Sequence, residues 1–159
     1  MRTSGTALTY TLLTLGFALQ LALPFDAGYT DRALLPHLLF AFFHANVFHL
    51  AANLFTASLL PYDLRDLLLA YLISLAASFV AVAPLPTMGF SGILYVLIGM
   101  RTTLFRGRFT VGKGYFVAFL LAGLVLPRVN GLLHILCFIG GILVRFIRNT
   151  AHDYAKAGR

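Results

Sequence analysis

The chain has 159 residues, of which 60% are hydrophobic and 11% are charged, and its formal net charge at pH 7 is +7. A soluble domain of this size cannot hide so much apolar surface, so we expect a membrane protein. Basic residues collect on the cytoplasmic side of such proteins, and we therefore expect no nucleic-acid partner. The single cysteine, Cys137, excludes an internal disulfide. Neither zinc-finger spacing nor a nucleotide-binding fingerprint occurs, and we expect no cofactor and no metal.

Six apolar stretches follow one another along the chain, separated by short polar breaks or breaks that contain proline or glycine. They lie at about residues 8–23, 46–60, 67–82, 91–105, 115–126 and 131–147, and Pro24, Pro61 and Pro127 directly follow three of them. Residues 25–43 form a longer, mixed connection. Several stretches are shorter than the ~20 residues that cross a bilayer. We therefore expect some helix ends to be recessed in the membrane and shielded by neighbouring segments.

The basic residues orient these stretches. If the N-terminus is inside, ten of the 12 lysines and arginines lie in inner segments, and only Arg32 and Arg128 lie outside. The sequence therefore predicts one all-α membrane domain over residues 1–159, a six-transmembrane-helix bundle with a core at about 8–147. Both termini are cytoplasmic, and residues 148–159 form a basic tail. A cleaved signal peptide within residues 1–28 would leave five spans, but "LALPFDAG" lacks a small-x-small cleavage site.

Polar residues from three spans fall at one depth in this topology. The second span contains "HANVFHLAAN", in which His49 and Asn53 are four residues apart and share a helix face. The fourth span begins with Ser91, and Tyr95 lies one turn further on the same face. The sixth span has His134 one turn below its start. Because all three spans run inward, we expect these side chains to converge in the outer half of the bilayer.

Such a group predicts nucleophilic catalysis. Ionisable residues inside a membrane are costly and are functional by default. A histidine beside a serine can take the hydroxyl proton and return it to a leaving group. The five acids lie outside the predicted spans, at Asp26, Asp31, Asp63, Asp66 and Asp153. We therefore expect a Ser91–His134 dyad with the imidazole stacked on Tyr95. Candidate oxyanion donors are the Asn53 amide, a ring N–H of His49 and the Ser91 backbone N–H.

Three separated motifs resemble those of the rhomboid family of intramembrane serine proteases. They are "HANVFHLAAN", "GFSGILYVLIG" and "NGLLHILCFIGG", which occur in family order and cover essentially residues 8–147. The resemblance implies Ser91 as the nucleophile and His134 as the general base. It also implies oxyanion donors from His49 and Asn53 and ring stacking by Tyr95.

The resemblance further implies supporting roles. Gly89 and Gly92 would allow close backbone approach, and Gly92 and Gly99 would allow tight helix packing. His44 would be structural.

The chain departs from the family pattern at several places. Cys137 replaces a frequent glycine three residues after His134, and we expect its extra bulk to lengthen the Ser91–His134 contact. The Gly-x-x-x-Glu-x-x-x-Gly motif and the Trp-Arg pair of the first outer loop are missing. The sequence therefore predicts a trimmed core.

Each of these residues also has a structural interpretation. Ser91 can be a helix N-cap, His134 can bond between helices, and Asn53 and His49 can be interhelical glue. A zinc site from His44, His49 and His134 is disfavoured, because a spacing of five does not align ligands on one helix face. Cys137 is expected to be a packed thiol. His37 and His152 are interpreted as loop and tail residues.

Three functions follow from these alternatives. The first is hydrolysis of peptide bonds in transmembrane protein substrates, by a multi-pass protein of the bacterial cell membrane whose active site faces the extracytoplasmic side. The second is a rhomboid-like chaperone or binding protein that has lost catalysis. The third is a small transporter in which His49 and His134 relay protons. The natural substrate and the oligomeric state do not follow from the sequence, and membrane lipid is the one further partner expected.

Overall fold

The computed structural model describes residues 4–22, 28–83, 85–102, 111–126 and 129–157. Within these residues the protein is all-helical, and its extended pairing is confined to one isolated bridge, between Tyr29 and Thr87. The helices are α1 (Ser4–Ala22), α2 (Leu34–Leu39), α3 (Val47–Leu59), α4 (Leu64–Val80), α5 (Ser91–Met100), α6 (Val111–Val125) and α7 (Gly131–Ala157), with a 3₁₀ turn, Phe40–Phe42, after α2.

Each of the six predicted apolar stretches is helical in its described part, with shifted ends. Helix α5 ends at Met100, earlier than predicted, and α7 continues to Ala157, well past residue 147. The predicted stops at Pro24 and Pro127 lie outside the described residues, as do Arg106 and Arg108 of the inner charge bias. Apolar stretches therefore predict where helices occur better than where they end.

Two of the described helices are long and apolar enough to cross a membrane, over Gly5–Ala22 and Gly131–Ala151. A third span results if Leu34–Phe42 and Val47–Leu59, which are bent by 73° relative to each other, count as one. The protein thus has two or three candidate membrane spans by length and composition. Helices α5 and α6 are apolar but shorter, with 10 and 15 residues.

The described part of the predicted connection at residues 25–43 contains more helix than expected. It contains α2 and the 3₁₀ turn, and Pro36 occupies the first turn of α2, where its missing N–H costs nothing. His37 on α2 is fully buried and stacked between the rings of Tyr29 and Phe79. Its ring nitrogens lie 2.7 Å from the Ser78 hydroxyl and 2.7 Å from the Asp31 carbonyl. The interpretation of His37 as a loop residue was wrong, because its ring is a buried part of the packing.

Helix α5 is the centre of the fold and packs mainly against α7 and α4. Every residue from Gly92 to Met100 is buried. A Cβ atom on Gly99 would lie 2.4 Å from the Phe138 carbonyl oxygen, and one on Gly141 would lie 2.1 Å from the Val96 carbonyl oxygen. The backbones of α5 and α7 are therefore in contact, as small residues allow in membrane helices, and the packing role predicted for Gly99 is confirmed.

Charged residues join the C-terminal end of α5 to α4 and α7. Asp66 in the first turn of α4 is buried and pairs with Arg101, the residue that follows α5, and with Arg148 of α7 at 2.6 Å. Arg101 also donates from Nε to the Pro61 carbonyl at 3.1 Å. We call Asp66, Arg101 and Arg148 the charge clamp. It joins the C-terminal end of α5, the end opposite Ser91, to α4 and α7.

Candidate active site

Ser91 and His134 are in direct contact. The Ser91 hydroxyl lies 2.8 Å from Nε2 of His134, which is 4% exposed. Ser91 is the first residue of α5, and the N-cap position is held by Phe90. The N-cap interpretation of Ser91 was therefore wrong. The two groups lie at hydrogen-bond distance, as their positions near the starts of two helices predict.

The His134 ring is fixed on two further sides. Its face stacks on Tyr95, with the ring centroids 4.1 Å apart and the planes at 5°. Its Nδ1 lies 2.9 Å from the carbonyl oxygen of Gly123 on α6. The predicted stacking is confirmed, and the acceptor that faces Nδ1 is a backbone carbonyl where a triad has a carboxylate.

Tyr95 is anchored on α6 as well. Its hydroxyl lies 2.8 Å from the Phe119 carbonyl oxygen and 2.7 Å from that of Leu120, and donates between them. This bond fixes the ring on which the imidazole stacks. Three elements therefore meet at the site: α5 supplies Ser91 and Tyr95, α7 supplies His134, and α6 supplies carbonyl acceptors.

A cavity of about 680 Å³ opens beside the dyad. Its lining includes Ser91, His134, His49 and Asn53, together with apolar and small residues of α3, α6 and the segment before α5. The side chain of Asn53 is 1% exposed, and within the described part of the chain neither its Nδ2 nor its Oδ1 has a hydrogen-bond partner. The Asn53 amide is therefore available to bond to a group that enters the cavity.

Gly89 holds the loop against His49. It has φ +125°, which only glycine adopts without strain, and a Cβ there would lie 2.5 Å from Cε1 of the His49 ring. Its N–H donates to the Phe40 carbonyl at 2.9 Å. The ring of His44, fully buried, meets the His49 ring edge-on at 5.1 Å. Gly89 and His44 thus both pack against the His49 ring.

Cys137 does not separate the helices that carry the dyad. It is fully buried, and a Cβ on Gly92 would lie 3.5 Å from its sulfur and 2.5 Å from the Ser74 hydroxyl. Gly92 makes room for the Ser74 hydroxyl, whereas the thiol lies at an ordinary contact distance, and the Ser91–His134 distance is short at 2.8 Å. The lengthening expected from Cys137 was wrong, whereas its interpretation as a packed thiol is confirmed.

Asn130 is a site residue that the sequence analysis missed. It caps α7, with Oδ1 accepting from Leu133 N at 3.1 Å, and its Nδ2 lies 2.6 Å from the Ala81 carbonyl and 3.1 Å from the Thr87 hydroxyl. Burial raises the pKa of the nearby Tyr29 hydroxyl, which therefore stays neutral and donates to the same Ala81 carbonyl. Asn130 thus joins the start of the His134 helix to the segment that leads into Ser91. An asparagine directly before an apolar helix is the available sequence signal.

Gly123 was missed as well. A Cβ at this position would lie 1.9 Å from the Tyr95 hydroxyl oxygen and 2.6 Å from His134 Nδ1, so no side chain fits without a shift. Its functional atom is a backbone oxygen, which leaves no mark in the residue type. The indirect signal is a glycine near the end of an otherwise apolar helix, four residues before Pro127.

Among the described residues, no group of three or more histidine, cysteine, aspartate or glutamate side chains is arranged to hold a metal ion. The chemistry available is therefore that of a serine, a histidine oriented by carbonyl and ring contacts, and buried amide donors. Comparison of the chain with protein-family models, with curated proteins and with solved structures finds no match.

Proposed function

We propose that the protein is a rhomboid-like intramembrane serine endopeptidase that hydrolyses peptide bonds of transmembrane substrates with a Ser91–His134 dyad. The observation that carries the proposal is the 2.8 Å contact between the Ser91 hydroxyl and His134 Nε2 beside a large cavity. A nucleophile within hydrogen-bond reach of a base that is itself oriented by a third group is the arrangement that acyl transfer needs.

The first step is attack on the scissile carbonyl. His134 Nε2 takes the Ser91 proton while the Ser91 oxygen forms a bond to the carbonyl carbon. Negative charge then develops on the carbonyl oxygen. The Asn53 amide, the His49 ring and the N–H groups of the first turn of α5 supply donors for it. The orphaned amide of Asn53 supports this role, because the oxyanion would be the partner that it lacks.

The second step releases products. The His134 imidazolium gives its proton to the leaving amine as the C–N bond breaks, which leaves an acyl group on Ser91. Water then enters the cavity, loses a proton to Nε2 and hydrolyses the ester. The cavity volume of about 680 Å³ accommodates both an unwound stretch of substrate and water.

The proposal includes the topology that this chemistry requires. Six spans, with both termini in the cytoplasm, would place Ser91 and His134 beneath the extracytoplasmic face of a bacterial cell membrane. The short α5 and α6, of 10 and 15 residues, are consistent with helix ends that neighbouring segments shield from lipid.

The alternative, a binding protein without catalysis, draws support from the missing Gly-x-x-x-Glu-x-x-x-Gly motif and from Cys137, which was expected to hold the helices apart. The 2.8 Å distance between the Ser91 hydroxyl and His134 Nε2 removes the argument from Cys137, and the aligned dyad favours an enzyme. A proton relay through His49 and His134 would leave the contact with Ser91 without a purpose.

The test is cleavage of a fluorescently labelled single-pass transmembrane protein by the purified chain in liposomes. We expect cleavage by the parent and by Ser58→Ala, which removes an exposed hydroxyl that bonds only to its own helix. We expect none by Ser91→Ala. A fluorophosphonate should label the parent at Ser91. If Ser91→Ala cleaves as fast as the parent, or if the parent is never labelled, the protein is not a serine protease.

A further inference from the structure

The α6 helix presents backbone oxygens to both aromatic rings of the site. Carbonyls of Phe119 and Leu120 receive the Tyr95 hydroxyl, and the carbonyl of Gly123 faces His134 Nδ1 at 2.9 Å. We propose that the Gly123 carbonyl is the positioning group of the base: it fixes His134 in the tautomer that carries its proton on Nδ1. This inference rests on the proposed function for its catalytic consequence, but the tautomer itself is a property of the resting protein.

The Gly123 carbonyl is free to take this role because of its place in α6. The last four carbonyls of a helix lack partners from the following turn. Leu126 N still bonds to Ala122 O at 3.0 Å, but the residue four after Gly123 is Pro127, which has no N–H. The Gly123 carbonyl therefore lacks the usual donor four residues further on, and the His134 ring supplies a donor from outside the helix.

The direction of this bond decides which nitrogen is the base. A carbonyl oxygen only accepts, so a hydrogen bond at 2.9 Å requires the proton on Nδ1. The neutral ring then has its lone pair on Nε2, which faces the Ser91 hydroxyl at 2.8 Å. In the opposite tautomer a lone pair would face the carbonyl and the serine would lose its proton acceptor.

The same bond acts during the reaction. When Nε2 takes the serine proton, the ring becomes cationic and its Nδ1–H bond to the carbonyl becomes charge-assisted and stronger. The carbonyl therefore stabilises the imidazolium without itself gaining a proton. That is the part a carboxylate plays in a serine–histidine–aspartate site, here performed by a neutral dipole within an apolar bundle.

The consequence is that α6 belongs to the catalytic unit. Any displacement of α6 that moves the Gly123 oxygen away from Nδ1 releases the tautomer and loosens Tyr95 at the same time. Glycine is required at this position, because a Cβ would lie 2.6 Å from His134 Nδ1 and 1.9 Å from the Tyr95 hydroxyl oxygen.

The test measures the tautomer directly. ¹⁵N NMR of the full chain with labelled histidine, in lipid nanodiscs at neutral pH, distinguishes a protonated Nδ1 from a protonated Nε2. The His134 signals are assigned by their loss in His134→Ala. We expect Nδ1 to be protonated in the parent. In Gly123→Ala we expect mixed tautomers, with fluorophosphonate labelling of Ser91 slowed on the order of 10- to 100-fold.

Gly131→Ala is the matched control. It makes the same change at the start of α7, where the nearest atom to the new Cβ is the Leu124 carbonyl oxygen at an ordinary 3.4 Å. It should keep the parent's tautomer and label within twofold of the parent.

Two results overturn the inference: a parent spectrum with the proton on Nε2, or a Gly123→Ala protein whose tautomer and labelling rate match the parent. The parent spectrum decides the question even if Gly123→Ala does not fold. A protonated Nδ1 in a parent that is never labelled would instead contradict the proposed proteolysis and leave the tautomer assignment standing.

Discussion

The two ends of α5 are both joined to α7, but by different kinds of interaction. At its C-terminal end, Arg101 pairs with Asp66 of α4, which also pairs with Arg148 of α7. At its N-terminal end, Ser91 meets His134 of α7 through a neutral hydrogen bond, beside an Asn53 amide that has no partner among the described residues. Both oxygens of the Asp66 carboxylate are thus paired, whereas the polar groups at the N-terminal end are only partly paired among the described residues.

The difference separates stability from chemistry. Buried polar groups that are fully satisfied hold helices in register, whereas groups left unsatisfied cost free energy that folding alone does not recover. A cavity lies at the N-terminal end of α5, so a ligand that enters it can bond to the Asn53 amide. We therefore expect changes at the Ser91 end to lower activity more than stability, and changes at the charge clamp to do the reverse.

The largest effect is expected for His134→Ala. Without a base, Ser91 keeps its proton, and hydrolysis of a transmembrane substrate should fall by at least about 10⁴-fold. The thermal midpoint should change by no more than a few degrees, because the change borders an existing cavity. Activity assays and circular dichroism melts measure the two quantities. A cleavage rate within tenfold of the parent would contradict the dyad.

The next largest effect is expected for Asn53→Ala. Loss of one oxyanion donor costs about 10²–10³-fold in kcat, with a much smaller change in KM. Because the amide has no hydrogen-bond partner among the described residues, its removal should not lower the free energy of unfolding. Asn149→Ala, which truncates an exposed asparagine of α7, should leave both kinetic constants unchanged. If the Asn53 variant instead unfolds readily at full activity, the residue is interhelical glue.

The pH dependence of the rate tests the base at the same end of α5. His134 must be neutral to accept the Ser91 proton, so acidification that protonates it should lower kcat/KM about tenfold per pH unit below the midpoint. Helix content followed by circular dichroism over the same range controls for unfolding. A rate that rises steadily as the pH falls below neutral would exclude His134 as the base.

The smallest effect on activity is expected at the charge clamp. Asp66→Asn leaves two arginines without their shared carboxylate and should lower the free energy of unfolding by about 1–3 kcal/mol. At temperatures where it stays folded, cleavage should remain within about threefold of the parent. Arg65→Gln, on the exposed face of the same turn, should change stability by less than about 0.5 kcal/mol. A large loss of activity in a stably folded Asp66→Asn protein would contradict the separation of the two ends.

Much of the candidate site could be predicted because the depth of a residue along a helix follows from its position in an apolar stretch. Ser91 and His134 each fall within one turn of the start of an apolar stretch, and parallel direction brings such positions to one level. The spacing of four residues likewise predicts that His49 and Asn53 lie on one face of α3. What the sequence predicts well is therefore any contact that follows from register and helix face alone.

The remaining features depend on groups that leave no periodic signal. The Gly123 acceptor is a backbone atom, visible only when α6 and α7 are packed together. Asn130 lies in a break between apolar stretches, where polar residues are ordinary. His37 was assigned to a loop because α2 has only six residues, too few for a period to be detected. The effect of Cys137 was misjudged because the small residue that packs beside it, Gly92, belongs to another helix.

The burial of Cys137 makes the protein its own folding reporter. The thiol is the single one in the chain, is fully buried, and sits one turn beyond His134 at the contact between α5 and α7. A maleimide dye should therefore not react with Cys137 in the native protein, and should react with it when the contact between α5 and α7 opens. Dyes or spin labels attached to cysteines introduced on exposed positions would, for the same reason, report motions of the bundle without removal of the natural thiol.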